Sequence, residues 1–419
     1  MKQIRLENFR CYKEITIPLK AGINLLIGDN ASGKTSLLKA CKYVLSAFFS
    51  GFSDENTKWI SPIPDDFTVS EQNGIILPEE PIRIHFNYGE DEYTLQKNSK
   101  KNSRALVSGI IPYRNHTRML QNNANPLPLI ASFTTEDIHT NRKIIPKQFV
   151  QYNQKKSFGY FECLEGNGFF PYWLKRLLVL KEGNKNLEEI EIVRKAIHNV
   201  LGEEGCNIIN DMDIRPMQGK VYYLFSDGRE VEAGLLSDGY KRLVNIVTDI
   251  AFRCALLNRG IYGIETIEKT KGTVLIDEID LHLHPTLQAS ILKALHNTFP
   301  NLQFIATTHA PMVMTGVENN ENNIVYKLSY LGDNNYTIEE TETYGMDIST
   351  ITKVVLNQIP RDATIDQQLS TLFGLIDDNK KEEAKKLFDK MREQRENTLP
   401  ELAEAEVMLN FTLEDDEAD

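Results

Sequence analysis

Long hydrophobic runs are missing from this chain, and nothing at its start reads as a signal peptide. Met1-Lys-Gln-Ile-Arg-Leu-Glu begins as an alternating strand, so neither a membrane span nor secretion is expected. Cysteine is scarce and scattered. Cys11, Cys41, Cys163, Cys206 and Cys254 include no C-x-x-C pair. An odd, dispersed set offers no thiolate metal framework and suits reduced thiols in a cytoplasmic protein. There is no internal repeat, and no heptad run long enough for an extended coiled coil separates the first and last motifs. Basic residues are outnumbered, 47 Lys and Arg against 59 Asp and Glu, for a formal charge of -12. That balance argues against a general nucleic-acid coat, although a local groove is set by patches. Part of the acidic excess sits in the last residues, 414–419, expected to form a frayed tail. What remains is ordinary for a globular protein: 41% hydrophobic and 25% charged residues, enough over 419 positions for a large core in one or two domains.

The most informative stretch is Gly28-Asp-Asn-Ala-Ser-Gly33-Lys34-Thr35, which fits G-x-x-x-x-G-K-[ST]. It follows the apolar run Ile23-Asn-Leu-Leu-Ile27 and precedes the helical Ser36-Leu-Leu-Lys-Ala40. In that context, successive backbone N–H groups and the positive helix end can cradle phosphate oxygens. Lys34 would reach the outer phosphates and the Thr35 hydroxyl would ligate Mg²⁺. A second motif, Gly272-Thr-Val-Leu-Ile-Asp277-Glu278, is a buried-strand pattern ending in two carboxylates. Alone it is equally a strand with solvent-facing acids; after a phosphate loop, Asp277 is expected to hold Mg²⁺ and Glu278 to polarise the attacking water. Ser237-Asp238-Gly239 opens a long amphipathic helix, where an ordinary N-cap would look the same. His309 follows the last apolar strand, at the position from which an imidazole could bridge to a γ-phosphate. Asp280-Leu-His282-Leu-His284-Pro285 lacks a third spaced ligand and is weak evidence for zinc.

Patterning gives the rest of the layout. Residues 1–27 read as a β-meander, 33–50 as a helix, and 51–80 as irregular chain around Pro62, Pro64 and Pro78. Residues 82–88 alternate and can pair with 92–95, while the polar, basic 97–125 reads as a mobile excursion. Helices are expected within 160–202, and a hairpin turns at Ser226-Asp-Gly228. From 236 the order helix, strand, helix, strand implies a parallel βαβ unit. Beyond 350 the pattern is helical, with Ile365, Leu369, Leu372, Phe373 and Ile376 on one face and Ala384, Leu387, Phe388 and Met391 on the next helix.

Together with the opening Ile4-Arg-Leu-Glu-Asn-Phe-Arg10-Cys-Tyr12, the runs Leu275-Ile-Asp-Glu-Ile-Asp280-Leu-His-Leu-His-Pro285 and Thr308-His-Ala-Pro311 resemble ATP-binding-cassette (ABC) ATPases of the SMC/RecF/OLD-like kind. Leu236-Ser237-Asp238-Gly239 is similar to that group's Leu-Ser-Gly-Gly signature, with Asp238 replacing its first glycine. The resemblance implies an α/β ABC head over residues 1–350: an N-terminal antiparallel β-lobe and a mostly parallel sheet core flanked by helices. An irregular and helical insertion would occupy about 97–215, and a helical C-terminal appendage, 351–419, would contact a partner or another copy. It further implies that two heads sandwich two ATP molecules. Arg10, the loop from Asn30 through Ala31, Ser32, Gly33, Lys34 and Thr35 to Ser36, and Ser237 and Gly239 would bind nucleotide. Thr35 and Asp277 would hold Mg²⁺, Glu278 and His309 would be catalytic, and Asp280 would be the D-loop aspartate at the interface. A Q-loop glutamine is expected, with Gln148, Gln151 and Gln154 all candidates.

The absence of coiled-coil arms and of a β/α nuclease pattern makes the chain most similar to the stand-alone PtuA-type ATPases of Septu and retron anti-phage systems. The implied function is an ATP-hydrolysing sensor that controls a separate effector, an HNH-type nuclease. Two alternatives are a RecF-like repair ATPase and an ATP-gated scaffold that hardly turns over. The first would bind DNA directly through Lys97, Lys100, Lys101, Arg104, Arg114, Arg118, Arg142, Lys143, Lys147, Lys155 and Lys156. The N-terminal strand and the His-Leu-His-Pro run point away from a transporter subunit.

Overall fold

Ile4 and Leu6 alternate with polar neighbours, as do Ile15 and Ile17, and the two runs pair as antiparallel strands Gln3–Phe9 and Tyr12–Pro18. The expected meander ends there. Ile23–Ile27 is buried at all five positions. A strand buried on both faces suits the interior of a parallel sheet, and this one leaves the hairpin to join a different sheet.

The computed structural model describes the chain apart from residues 53, 73–74, 89–90, 102–104, 108–109, 121–124, 136–154, 167–168, 333–334, 359–360, 396–398 and 415–419. The described residues divide into two units, Met1–Ile348 and Ser349–Asp419.

In the first unit, a five-stranded antiparallel sheet runs in the order Tyr12–Pro18, Gln3–Phe9, Ile82–Tyr88, Asp91–Lys97, Leu106–Val107. A six-stranded sheet runs Tyr336–Glu340, Ile324–Tyr330, Ile23–Ile27, Leu302–Thr307, Gly272–Ile276, Leu129–Phe133. It is parallel except for its edge strand Tyr336–Glu340. Helix Lys34–Ala47 lies between the two sheets. Its Leu37, Ala40, Cys41 and Val44 share one apolar cluster with Ile4, Leu6 and Ile84 of the antiparallel sheet and Leu26, Leu275 and Ile305 of the parallel one. Each such fully buried aliphatic side chain contributes roughly 2 kcal/mol. The phosphate loop is therefore held where two sheets and a helix meet.

Two further expectations change. The stretch 97–125 is not simply an excursion: it carries the strand Leu106–Val107 and the helix Ile110–Leu120. Within 51–80, Val69–Gln72 and Ile75–Pro78 pair as a short antiparallel ladder. The hairpin at Ser226-Asp-Gly228 forms, joining Lys220–Phe225 to Glu230–Glu232 in a three-stranded sheet with Ile209–Arg215.

Helices Phe170–Glu182, Leu187–Leu201 and Asp238–Tyr262 pack together through buried charges as well as apolar contacts. Glu189 takes Arg176 at 2.8 Å and Arg259 at 2.7 Å. Asp249 accepts from Arg253 at 2.6 Å and from the Trp173 indole at 2.7 Å, and Trp173 stacks on Phe252 at 4.7 Å. Breaking such pairs costs far more than forming them gains, so they fix how the long helix sits.

The second unit is a set of helices, Ala363–Asp377, Lys381–Arg395 and Pro400–Glu414, around Leu369, Leu372, Ile376, Phe388, Met391, Leu402 and Leu409. Asp362 caps the first by accepting from Thr364 N and Ile365 N. In the last helix Leu409 is buried and Val407 is exposed.

Asp66 binds the first unit's opening hairpin to its central helix. Fully buried, its carboxylate accepts from Lys39 Nζ at 2.7 Å, Tyr43 Oη at 2.6 Å and Ile63 N at 2.9 Å. Its carbonyl accepts from Arg10 N at 2.7 Å. Burial, reinforced by this carboxylate, pushes the Tyr43 phenol above its ordinary range. Asp66→Ala strands all three carboxylate donors and is expected to cost about 3 kcal/mol. The urea midpoint should fall at unchanged slope; a loss below about 1 kcal/mol would remove Asp66 as a structural tie.

Candidate active site

The loop between strand Ile23–Ile27 and helix Lys34–Ala47 turns through left-handed backbone at Ala31, φ 65°, and Gly33, φ 99°. At Gly33 packing adds to conformation, because a Cβ there would lie 2.2 Å from Tyr12 Oη. Asn30, Ala31 and Thr35 are exposed, Ser36 is half-buried, and Ser32 and Lys34 are buried. The Lys34 ammonium is wrapped by its own loop, donating to Gly28 O and Asp29 O at 2.8 Å each and to Ser32 Oγ at 3.3 Å. Burial lowers its pKa from 10.5 to about 8, opposed by the nearby carboxylates of Asp29, Asp277, Glu278 and Asp280. Asp29 belongs to the loop itself, but Asp277, Glu278 and Asp280 come from the acidic strand end and the residues just after it, so the fold brings the two sequence motifs together.

Strand Gly272–Ile276 lies between Leu129–Phe133 and Leu302–Thr307, and its carboxyl end delivers Asp277 and Glu278. Asp277 N donates to Phe133 O at 2.9 Å. Asp277 Oδ1 accepts from Thr307 Oγ1 at 2.6 Å, and its Oδ2 stands 3.5 Å from Thr35 Oγ1. Arg242 donates to the Asp277 carbonyl at 2.5 Å. Glu278 holds a left-handed backbone, φ 48°, with its N–H donated to Thr307 Oγ1 at 2.8 Å. A non-glycine residue in that region costs of order 1 kcal/mol and persists only where its surroundings over-determine it. One hydroxyl, Thr307, thus orients both acids. The neighbouring Thr308 does the same for Asp280, donating to Oδ1 at 2.5 Å while accepting from Ala310 N at 3.0 Å.

Other candidates are placed less directly. His309 is half-buried at the end of strand Leu302–Thr307. Arg10, φ 53°, is drawn to Asp66, with Nε 3.7 Å from Oδ1. Ser237 caps helix Asp238–Tyr262 by backbone geometry, and its exposed side chain makes no capping bond. His284 is used locally, its Nδ1 lying 2.9 Å from Thr286 Oγ1 as it caps the next helix. Gln148, Gln151 and Gln154 lie outside the described residues, as do Arg104, Arg142, Lys143 and Lys147.

Thr35 and Asp277 supply hard oxygens at a separation that suits a shared cation rather than a firm hydrogen bond. Among the described residues no group of three or more His, Cys, Asp and Glu is placed to hold a metal. A cation here would rest on one carboxylate, one hydroxyl, water and substrate phosphate, which is how Mg²⁺ is usually bound. Sequence reasoning gave no part to Thr307, Thr308, Arg242 and Asp66, whose hydrogen bonds orient the site and its surroundings. Only the paired threonines leave a signal, at the end of a buried strand and beside His309.

A lysine loop opposite a strand-end acid pair defines a phosphate-loop nucleotide site. Residues 23–315 match the family described as "AAA domain, putative AbiEii toxin, Type IV TA system", and the chain belongs to that family. It is an ABC-type ATPase with similarity to PtuA and retron ATPases. The retron Vc95 probable ATPase of Vibrio cholerae serotype O1 biovar El Tor is 25% identical over 402 residues, covering 79% of this chain and 74% of that protein. The Septu protein PtuA of Bacillus mycoides is 27% identical over 333 residues, or 77% of this chain and 40% of that longer protein. A solved SMC head bound to the C-winged helix domain of ScpA aligns with a TM-score of 0.46 and 16% identity, over 81% of this chain and 97% of that one. No helix among the described residues is long and apolar enough to cross a membrane.

The lowered pKa of Lys34 sets opposite pH dependences for folding and binding. The unfolded chain keeps this proton up to 10.5 and the folded chain releases it near 8. Lys34 therefore adds stability to the ligand-free fold as pH rises between those values. Phosphate favours the ammonium, so ATP binding should take up a proton above about pH 8 and none near pH ~6.5. Titration calorimetry in buffers of different ionisation enthalpy measures this. Equal heats at both pH values would mean that Lys34 does not meet the phosphates.

Proposed function

We propose that this chain is a Mg²⁺-dependent ATPase that closes as a homodimer around two ATP molecules and controls a separate effector nuclease in anti-phage defence. One observation carries the shared site. Lys34, Thr35, Asp277, Glu278 and Asp280 gather in one head, whereas Ser237 stands exposed at the start of a helix that is buried from Arg242 to Ala255. A helix N-terminus with a free hydroxyl is suited to a γ-phosphate, and a second copy can bring it there.

In this reading Lys34 exchanges its loop carbonyls for phosphate oxygens. Bound Mg²⁺, held by Thr35 and Asp277, would neutralise charge on the phosphates. Glu278 accepts a proton from the water that attacks the γ-phosphorus. The bond from that phosphorus to the β,γ-bridging oxygen breaks, leaving ADP and inorganic phosphate. His309 and the partner's signature stabilise the charge on the transferred group. Because each site needs both heads, turnover is tied to opening and closing, which an associated protein can sense.

The defence role rests on the retron and Septu names of the relatives, and the HNH-type effector on the resemblance of the motifs. The helical unit 349–419, with Val407 exposed on its last helix, is the proposed contact for that effector or for further copies. Direct DNA binding has less support at two of its described basic residues. Lys97 is buried and donates to Pro62 O, and Lys155 pairs with Glu55.

Glu278→Gln should keep ATP binding, lower turnover about 100-fold and accumulate ATP-bound dimers in size-exclusion chromatography. Ser237→Arg should abolish both turnover and dimers while sparing nucleotide affinity. Wild-type turnover in Glu278→Gln would place the base elsewhere. An unaffected Ser237→Arg rate would mean that each head works alone.

A further inference from the structure

Arg242 lies between one and two turns along the helix that Ser237 opens, and it is buried to 1% exposure. A charged side chain so deep in the fold needs a partner, and its guanidinium reaches the main-chain carbonyl of Asp277 at 2.5 Å. The same helix touches the acidic strand end a second time. A Cβ on Gly239 would stand 2.2 Å from His282 O and 3.1 Å from the carbonyl carbon, so the first helical turn rests on the loop that follows the acids. That loop is itself closed tightly, with Leu281 N donating to Glu278 O and Leu283 N to Asp280 O, each at 3.0 Å, and His282 at φ 63°. Behind these contacts the helix is buried at every position from Arg242 to Ala255. Packed on all sides there, it has little room to bend, so its first turn and its second hold a fixed relation to each other.

One rigid element thus serves two places. Its start carries the serine offered outward, and its second turn holds the residue whose carboxylate faces Thr35 in its own head. We propose that Arg242 is a positioning residue, a strut that makes the Ser237 presented to one nucleotide follow the acidic strand end beside the other. This rests on the shared-site reading above. Any movement of Asp277 as its own site fills is passed through the guanidinium and the Gly239 contact to the signature serine, which then meets the partner's nucleotide in or out of register. The two sites of a dimer therefore fire cooperatively. Lysine would keep the charge but make a single-point contact in place of the planar fork.

The test measures ATP hydrolysis against ATP concentration for full-length wild type, Arg242→Lys and Arg242→Met, with a dilution series of wild type alongside. The wild type should lose specific activity on dilution and show a Hill coefficient well above one, approaching about two for two coupled sites. Both variants should fall to about one, while affinity for a fluorescent ATP analogue stays within about 2-fold and ATP still drives dimers. Arg242→Lys guards against a methionine variant that fails to fold. If wild-type activity falls on dilution but the variants keep its Hill coefficient, or wild type has none above one, the strut is overturned and the shared site stands. A lower melting temperature with an unchanged Hill coefficient makes Arg242 merely structural and also overturns it. Activity that ignores dilution removes the shared site and the strut together.

Discussion

Every polar atom of Asp277 has an assigned direction, and most of the first unit's architecture is needed to assign them. The N–H is taken by the edge strand through Phe133, the carbonyl by the long helix through Arg242 and one carboxylate oxygen by the neighbouring strand through Thr307. The other oxygen faces Thr35, on the helix wedged between the two sheets. No one of these elements lies next to Asp277 in sequence. A parallel sheet brings their ends to a single edge, and ligands collect there because strand ends and helix starts converge. The carboxylate is pre-aimed by bonds already formed, so no reorganisation is left for the moment of reaction.

Charge gives that edge its second constraint. Lys34 is desolvated enough to lose much of its grip on a proton, yet Asp29, Asp277, Glu278 and Asp280 all act to keep it charged. A triphosphate adds still more negative charge beside those acids. One ammonium is not enough to balance it, and the deficit is the physical reason a divalent cation and an outside helix N-terminus fit the proposed mechanism. Ser237, exposed and uncommitted at its capping position, has the right chemistry for the second of these. Electrostatics within one head thus points toward two.

The central elements were legible from residue patterns because each carries a local signal. Period-two alternation at Ile4 and Leu6 marks a half-buried strand, and the mainly apolar runs at 23–27 and 272–276 mark buried ones. Partner choice was not legible. Ile23–Ile27 follows the hairpin closely enough to read as its third strand, and only burial on both faces says that it belongs between Leu302–Thr307 and Ile324–Tyr330. The helix Ile110–Leu120 was missed because its polar and basic residues resemble loop composition. There, Tyr113 and Thr117 are buried while Arg118 and Met119 are exposed, a stripe too narrow to stand out in sequence.

At the site, spacing points to the groups expected to meet the nucleotide but not to what aims them. Glycine, lysine and paired acids are recognisable because their chemistry restricts the residue type at each position. Orienting groups are interchangeable in principle: any buried hydroxyl could do what Thr307 does, and any long donor could reach a carbonyl as Arg242 does. Their identity follows from three-dimensional neighbours and leaves no spacing rule. Arg10 shows a different limit: its motif position suggests nucleotide, and the fold also supplies Asp66 at 3.7 Å. The partner it keeps in the ligand-free head is a carboxylate that also binds Lys39 and Tyr43. Any reach of Arg10 toward ATP must then be made from its half-exposed guanidinium without releasing the tie that holds the opening hairpin to the central helix.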